Sequence, residues 1–202
     1  MFYSTKLNNH DFKYNPFKAC IVPRPIGWIS SIDKNGVVNI APYSYFNAVS
    51  DIPPTIMFAS GLNQDGTDKD TLKNIEQSRE FVVNIASYEL ADQVNHSSTQ
   101  LPHGVSEAEV FSIETTPSHI IKTPRIKSAL ISLECEYIKT IEFEVDGKSV
   151  SSKIILGAVV GIHIDDNVLT DGKIDISKLK PIARLGYNEY AVIEQVFKMS
   201  RP

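Results

Sequence analysis

Cysteine is scarce in this chain of 202 residues: Cys20 and Cys135 are the only two, far apart and each set among apolar neighbours. The pair reads as reduced, buried thiols of a cytosolic protein and not as a disulfide framework. Long hydrophobic runs are missing as well. The longest, Ile154 to Ile162, spans nine residues and holds two glycines, far below the roughly 20 that a membrane helix requires. No apolar stretch follows a basic flank near Met1, so no secretory signal is expected and the reading is a cytoplasmic protein. Asn95-His96-Ser97 matches a glycosylation sequon, which is expected to stand idle without export. An excess of basic charge is lacking too. The formal net charge is -4, which leaves no general footprint for nucleic acid or an anionic membrane. Overall charge does not speak to a local basic pocket.

Several catalytic signatures are also missing. There is no G-x-x-x-x-G-K-[ST] loop and no G-x-G-x-x-G, so neither P-loop hydrolysis nor a Rossmann dinucleotide site is expected. There is no C-x-x-C, no H-E-x-x-H and no G-x-S-x-G elbow, and the five histidines are scattered without ligand spacing. The common metal, phosphate-hydrolysis and acyl-transfer motifs therefore fail.

What is present is strand character. Hydrophobic residues make up 42% and charged residues 22%, a globular balance. Residues 26–45 read as a hairpin around Asp33-Lys34-Asn35-Gly36, with Asn-Gly suited to positive φ. Thr55–Ala59 and Phe81–Ile85 read as short buried strands. Ala129–Phe143 and Ile154–Ile164 read as two long antiparallel strands joined by Val145-Asp146-Gly147-Lys148. In the first of these, Ile131, Leu133, Cys135 and Tyr137 share one face, and Ser132, Glu134 and Glu136 the other. Helical spacing appears at Asp68–Ser78 and Tyr88–Asn95, whereas 96–127 looks irregular. Many strands with few short helices predict a mainly β fold: a closed antiparallel barrel with helical decoration, in a single domain over 1–202.

Three segments join glycine or proline punctuation to polar groups suited to an anionic, aromatic ligand. In Arg24-Pro25-Ile26-Gly27-Trp28-Ile29-Ser30, Arg24 reads either as a phosphate clamp or as a surface ion-pair partner, and Trp28 as a core residue. Asn39–Ser50 interleaves small and hydroxyl residues with aromatics, either to lay backbone N–H groups along a flat heterocycle or simply to end a strand in a tight turn. Gly61–Leu72 feeds a helix whose first turn carries Lys69 and Thr71. That end is a phosphate cradle, an ordinary terminus capped by Asp68 or Asp70, or both.

In this order and spacing, the segments resemble the flavin-reductase-like, FMN-binding split-barrel family that includes flavoredoxin and the small component of nitrilotriacetate monooxygenase. PRPIGWISSID resembles its first barrel strand, NIAPYSYFNAVSDIPP its flavin-lining segment and KDTLKNI its phosphate-side helix. EFVVNIAS, LADQVNHSS, IIKTPRIKSALISLECEY and the stretch from VVGIHIDD to the C-terminal SRP extend the likeness over nearly the whole chain. The resemblance implies a six-stranded antiparallel Greek-key barrel that forms a homodimer, with FMN near the subunit interface. It places Arg24, Lys69 and Thr71 on the phosphate side. Trp28, Ser30, Pro42, Tyr43, Ser44 and Asn47 would line the ribityl chain and ring, with Asn95 approaching from the same or the partner subunit. Gly27 stands where alanine is expected, a change expected to matter little. Arg184-Leu185-Gly186-Tyr187 lacks a second glycine, so Tyr187 is expected to narrow the pocket mouth.

The implied activity is an oxidoreductase, with NADH or NADPH as a transient donor that passes hydride to flavin N5. The flavin carries the chemistry, so no catalytic side chain is expected. Reduced flavin would serve a partner monooxygenase or another acceptor. The alternatives are an FMN-binding electron carrier with little NAD(P)H activity, as in flavoredoxin, and a two-electron oxidase.

Overall fold

The computed structural model describes residues 1–200. Seven strands form one antiparallel sheet: β1 (Gly27–Ile32), β2 (Val38–Tyr43), β3 (Phe46–Asp51), β4 (Pro54–Gly61), β5 (Glu80–Ile85), β6 (Ile131–Ile141) and β7 (Ser152–Ile164). Their spatial order is β2-β1-β5-β6-β7-β4-β3. The two outermost strands are consecutive in the chain, separated only by Ser44 and Tyr45, and β2 approaches β4 across the gap. The sheet therefore curls until its edges meet at one corner, which is the expected split barrel. It has seven strands and not six because Asn39–Ser50 breaks at Ser44-Tyr45 into two strands.

The β1–β2 turn is organised by one carboxylate. Asp33 Oδ1 accepts from the backbone N–H groups of Asn35 and Val37, both at 2.8 Å. The Val37 bond, and then the Asn35 bonds, hold its carboxyl below the usual range against its own desolvation. Only Gly36 takes a positive φ, of 82°, so the chain makes a longer loop in place of a two-residue Asn-Gly turn.

β1 and β5 are buried on both faces, unlike an ordinary antiparallel strand with one wet side. Ile29, Phe58, Phe81, Val83, Cys135 and Ile155 fill the barrel, joined by Leu72 and Ile75 of α1 (Asp70–Ser78). Trp28 and Ile40 point the other way and pack beneath α2 (Ala91–His96) with Val94, Ile113 and Ile126. A 3-10 turn at Tyr88–Leu90 leads into α2. The stretch expected to be irregular holds a further short helix, α3 (Glu107–Val110), and two paired two-residue strands. It forms the lid of the second core.

Two sequence expectations change. Cys135 is buried, and desolvation pushes its thiol up, but Cys20 is exposed. Cys20 ends a 3-10 turn at Phe17–Cys20 that lies on the surface, where its apolar neighbours Ile21 and Val22 are exposed as well. Nor is Gly27 a neutral exchange for alanine: a Cβ there would stand 2.9 Å from Phe46 Cγ. The missing methyl is the space into which the β3 edge strand inserts Phe46.

On the polar face of β6, Ser132 and Glu134 are buried and Glu136 is exposed. Ser132 Oγ donates to Asn84 Oδ1 at 2.9 Å, and Asn84 Nδ2 donates to the Trp28 carbonyl at 2.9 Å. Glu134, fully buried, accepts from the N–H groups of His119 and Ile120, each at 2.7 Å, and Ile121 at 3.1 Å. His163 Nε2 meets its Oε1 at 2.5 Å. One carboxylate thus fixes the 119–121 loop to the barrel wall.

Gly157 of β7 faces the barrel interior, where an added Cβ would overlap the ring of Phe81. Gly157→Ala is expected to destabilise by about 1–3 kcal/mol through overpacking. Chemical denaturation checks this, and a loss within about 0.5 kcal/mol would show that the ring yields freely.

At the C-terminal end, β8 (Ile182–Arg184) and β9 (Tyr190–Val192) join Arg24–Pro25 in a small three-stranded sheet. That sheet brings the tail against the start of the barrel and builds one wall of the site.

Candidate functional site

Alternation along β2 divides two cavities. Asn39, Ala41 and Tyr43 line one of about 660 Å³, while Pro42 and Ser44 line another of about 810 Å³. Ser98, just beyond α2, borders both. The two therefore flank the same strand and meet at one residue.

The first cavity is built around the start of α1. Lys69 is the residue at the helix N-cap, with extended backbone (φ -67°, ψ 153°), and no side chain caps the helix. Neither expected capping aspartate performs that job. Asp68 Oδ2 instead pairs with Lys153 Nζ at 3.0 Å, and Asp70 Oδ1 meets His103 Nδ1 at 2.9 Å. The Leu72 N–H donates to the Lys69 carbonyl at 3.1 Å, so the N–H groups of Asp70 and Thr71 keep their hydrogen-bonding capacity, with the partial positive charge of a helix start.

Two hydroxyls add to this end. Asn39 Nδ2 donates to Thr71 Oγ1 at 2.8 Å, which leaves the Thr71 proton free to be donated elsewhere. Tyr43 Oη is buried with no hydrogen-bond partner, and burial raises its pKa, keeping it a neutral donor. Lys69 Nζ lies 5.9 Å from the centre of the Tyr43 ring. On the rim, Glu107 accepts from the Ile40 N–H at 2.9 Å, and burial raises its carboxyl. Uncapped N–H groups, two hydroxyl donors and Lys69 together suit an oxyanion such as a phosphate.

The second cavity has aromatic and amide walls. Phe17, Tyr187 and Tyr190 line it with Asn95 and Asn188. Its floor is held by Arg24, which is only 7% exposed. Arg24 Nη1 donates to the carbonyls of Lys18 (2.5 Å) and Ile21 (2.7 Å), and Nη2 to that of Leu185 (2.8 Å). Gly186 packs on Ala19, where an added Cβ would lie 2.5 Å from the Ala19 Cβ. Glycine is needed there for close approach of the tail.

The structure thus sorts the expected site residues. Lys69, Thr71 and Tyr43 come together at the first cavity, and Pro42, Ser44 and Asn95 at the second. Arg24 is separated from Lys69 and Thr71: it borders the second cavity, where its Nη1 and Nη2 join Lys18 and Ile21 to Leu185 of the tail. Trp28 and Ser30 do not reach either cavity: both are fully buried, with Trp28 Nε1 donating to Ser97 Oγ (2.9 Å) and Ser30 Oγ to the Pro124 carbonyl (2.7 Å). Trp28 thereby anchors Ser97, a wall residue of the first cavity, whereas Ser30 holds the loop at Pro124, away from both cavities. Asn47 lies on the exposed β3 edge, its Oδ1 accepting from the neighbouring Ala48 N–H at 2.9 Å. Tyr187 does stand at the cavity, half-exposed, 5.7 Å from the ring of Tyr14.

Sequence reasoning passed over Asn39, Lys18 and Arg184. Period-two counting back from Tyr43 would have found Asn39. The other two depend on the tail folding against the N-terminal turn, which no local pattern shows. A third cavity, of about 650 Å³, lies behind the Asn63–Thr67 turn, where Lys153 already pairs with Asp68 and Glu142. Among the described residues no helix is long and apolar enough to cross a membrane.

Comparison with known proteins identifies the family and the fold. The sequence profile of the flavin reductase like domain matches residues 19–183. An uncharacterized protein of Aquifex aeolicus is 36% identical, with 94% of each chain covered. Nitrilotriacetate monooxygenase component B from Bacillus cereus superposes with a TM-score of 0.90 at 32% identity, covering 98% of each chain. The 2-nitrobenzoate 2-nitroreductase of Pseudomonas fluorescens gives a TM-score of 0.85 at 27% identity, covering 100% of this chain and 96% of its own. The chain belongs to the flavin reductase like family of split-barrel proteins.

Proposed function

We propose that this chain binds FMN across the two cavities and works as an NAD(P)H-dependent flavin oxidoreductase. One observation carries the reading: a cavity suited to an oxyanion and an aromatic-walled cavity share strand β2 and Ser98. A phosphate tied to a flat ring by a ribityl chain has those same requirements. Lys69, Thr71, Tyr43 Oη and the open end of α1 would hold the phosphate. Pro42, Ser44 and Asn95 would border the ring.

When bound, FMN supplies the ring that takes up and passes on a hydride. The chain's own residues orient and enclose it. Asn39 turns the Thr71 hydroxyl toward the anion, while the Arg24 clamp holds the tail wall in place. Tyr187 and Phe17 limit access of water to the cavity mouth. A nicotinamide donor needs no Rossmann site if it only stacks briefly in the open second cavity. The monooxygenase component among the relatives supports a partner monooxygenase as the consumer of reduced flavin.

A homodimer is part of the same proposal. On the outer face of the barrel, Met57 and Ala59 of β4 stand opposite Leu156 and Ile154 of β7. All four are only partly buried, where an antiparallel sheet ordinarily turns polar residues to water.

Anaerobic addition of NADH and NADPH to the FMN-loaded protein tests the activity. Bleaching of the flavin band by either nucleotide is expected and names the donor. A bound flavin that neither bleaches would turn the reading to the electron carrier.

A further inference from the structure

We propose that the second cavity selects a planar substrate bearing a negative group, and that Lys18 and Arg184 are the pair that holds this group. The inference rests on the flavin reading, because it concerns the space left open beside a ring bordered by Pro42 and Ser44.

The first argument is charge. Arg24 and Arg184 stand directly opposite each other in the antiparallel pairing of Arg24–Pro25 with β8. Like charges in that position repel and are normally avoided or neutralised. Among the described residues, no carboxylate comes within ion-pair distance of Arg24, Arg184 or Lys18. The residues around the cavity include Lys18, Arg24 and Arg184 but no Asp or Glu, in a chain whose net charge is -4. A concentration of unpaired positive charge in a concave site of an acidic protein attracts an anion.

The second argument is which of these cations remain available. Arg24 is buried and commits Nη1 and Nη2 to three backbone carbonyls, its Nε remaining without a partner. Arg184 donates through Nη2 to the Tyr187 carbonyl, and its guanidinium stacks 4.4 Å from the centre of the Tyr190 ring. That fixes its plane and leaves its remaining N–H groups without acceptors among the described residues. Lys18 is fixed at its backbone by the Arg24 clamp and carries an exposed side chain. A preorganised guanidinium and an ammonium lining one cavity form a receptor for a carboxylate or a phosphate.

The third argument is shape. Phe17, Tyr187 and Tyr190 offer flat apolar walls, and Asn15 and Asn188 offer amides at the rim. At about 810 Å³ the cavity exceeds what the flavin ring fills. The shared chemistry is thus an aromatic ring with an anionic group nearby, supplied either by an aromatic carboxylate or by the phosphates of a reduced nicotinamide.

The test begins with FMN affinity by fluorescence, which reads the flavin proposal separately. Benzoate and its neutral analogue benzyl alcohol are then titrated by calorimetry into wild type, Lys18→Glu and Arg184→Met, and KM is measured for NADH and NADPH. Calorimetry reads the benzoate preference with or without bound flavin. Wild type is expected to prefer benzoate by about tenfold or more, and each substitution to remove most of that preference while FMN affinity stays within about twofold. Loss of benzoate preference with unchanged KM assigns the pair to a carboxylate substrate. A rise of about tenfold in nicotinamide KM assigns it to the donor's phosphates. Arg184 also supports the tail, so Lys18→Glu is the deciding variant. Equal binding of benzoate and benzyl alcohol, with KM unaltered in Lys18→Glu, would overturn the proposal.

Discussion

Replacing Glu134 with alanine is expected to cost about 3–5 kcal/mol of folding stability, as for removal of one partner from a buried charged cluster. The carboxylate is fully buried and receives three backbone N–H bonds besides the His163 ring. Its removal leaves those donors without their acceptor and frees the 119–121 loop from the barrel wall. Burial alone would push this carboxyl up, but the His119, Ile120 and Ile121 N–H groups together with His163 outweigh it and hold it down to about 2. The sign follows from that direction. A carboxylate whose folded pKa lies below its unfolded value stabilises the fold above the ordinary carboxylate range. That contribution is lost as pH falls through about 2. Urea denaturation of wild type and Glu134→Ala at neutral pH measures the cost, and repeating it toward acid should narrow the gap between them. A gap below about 1 kcal/mol at neutral pH would mean that water replaces the lost bonds.

Loss of Lys69 is expected to weaken FMN binding by about 1.5–3 kcal/mol, roughly ten- to a hundredfold in Kd, as for a charge-assisted contact to phosphate. Adding Thr71→Val to Lys69→Ala should deepen the loss, since Asn39 donates to Thr71 Oγ1 and leaves the Thr71 proton available to the anion. The uncapped start of α1 remains in both variants, so binding is weakened and not abolished. Riboflavin, which has no phosphate, provides the internal control: its affinity should be unchanged by either substitution. Fluorescence titration decides. Equal loss for FMN and riboflavin would move the phosphate away from this helix end.

The contrast between these two predictions shows what the sequence could and could not tell. The position of Lys69 and Thr71 at a helix start was legible because such a start announces itself locally, through polar loop residues followed by Leu72 and Ile75 at helical spacing. The strands were legible from alternation and from β-branched runs. The role of Glu134 was not, since alternation along β6 places it away from the barrel interior without revealing that the 119–121 loop covers it. Arg24 shows the opposite difficulty. An arginine at a strand start resembles a phosphate clamp, and only the fold reveals that the Lys18 and Ile21 carbonyls of the preceding turn and the Leu185 carbonyl of the tail take up its Nη1 and Nη2. Trp28 and Ser30, which the resemblance placed beside the ligand, lie buried away from both cavities because β1 is covered on both faces, and alternation alone does not distinguish two buried faces. Asn39 was within reach of the same alternation that found Tyr43.

The family and the fold class rest on features spread along the whole chain, whereas the anion-holding pair depends on contacts between its two ends. Arg184 faces Arg24 only because β8 returns to the start of the barrel. Such distant contacts decide specificity here, and local patterns decide architecture.

The most direct measurement is the absorbance spectrum of the purified protein before and after equilibration with FMN and gel filtration. The account predicts a retained flavin band near the visible maximum of an oxidised isoalloxazine, at roughly one FMN per chain, that diminishes in Lys69→Ala. A folded protein that emerges colourless after saturation with FMN would contradict it.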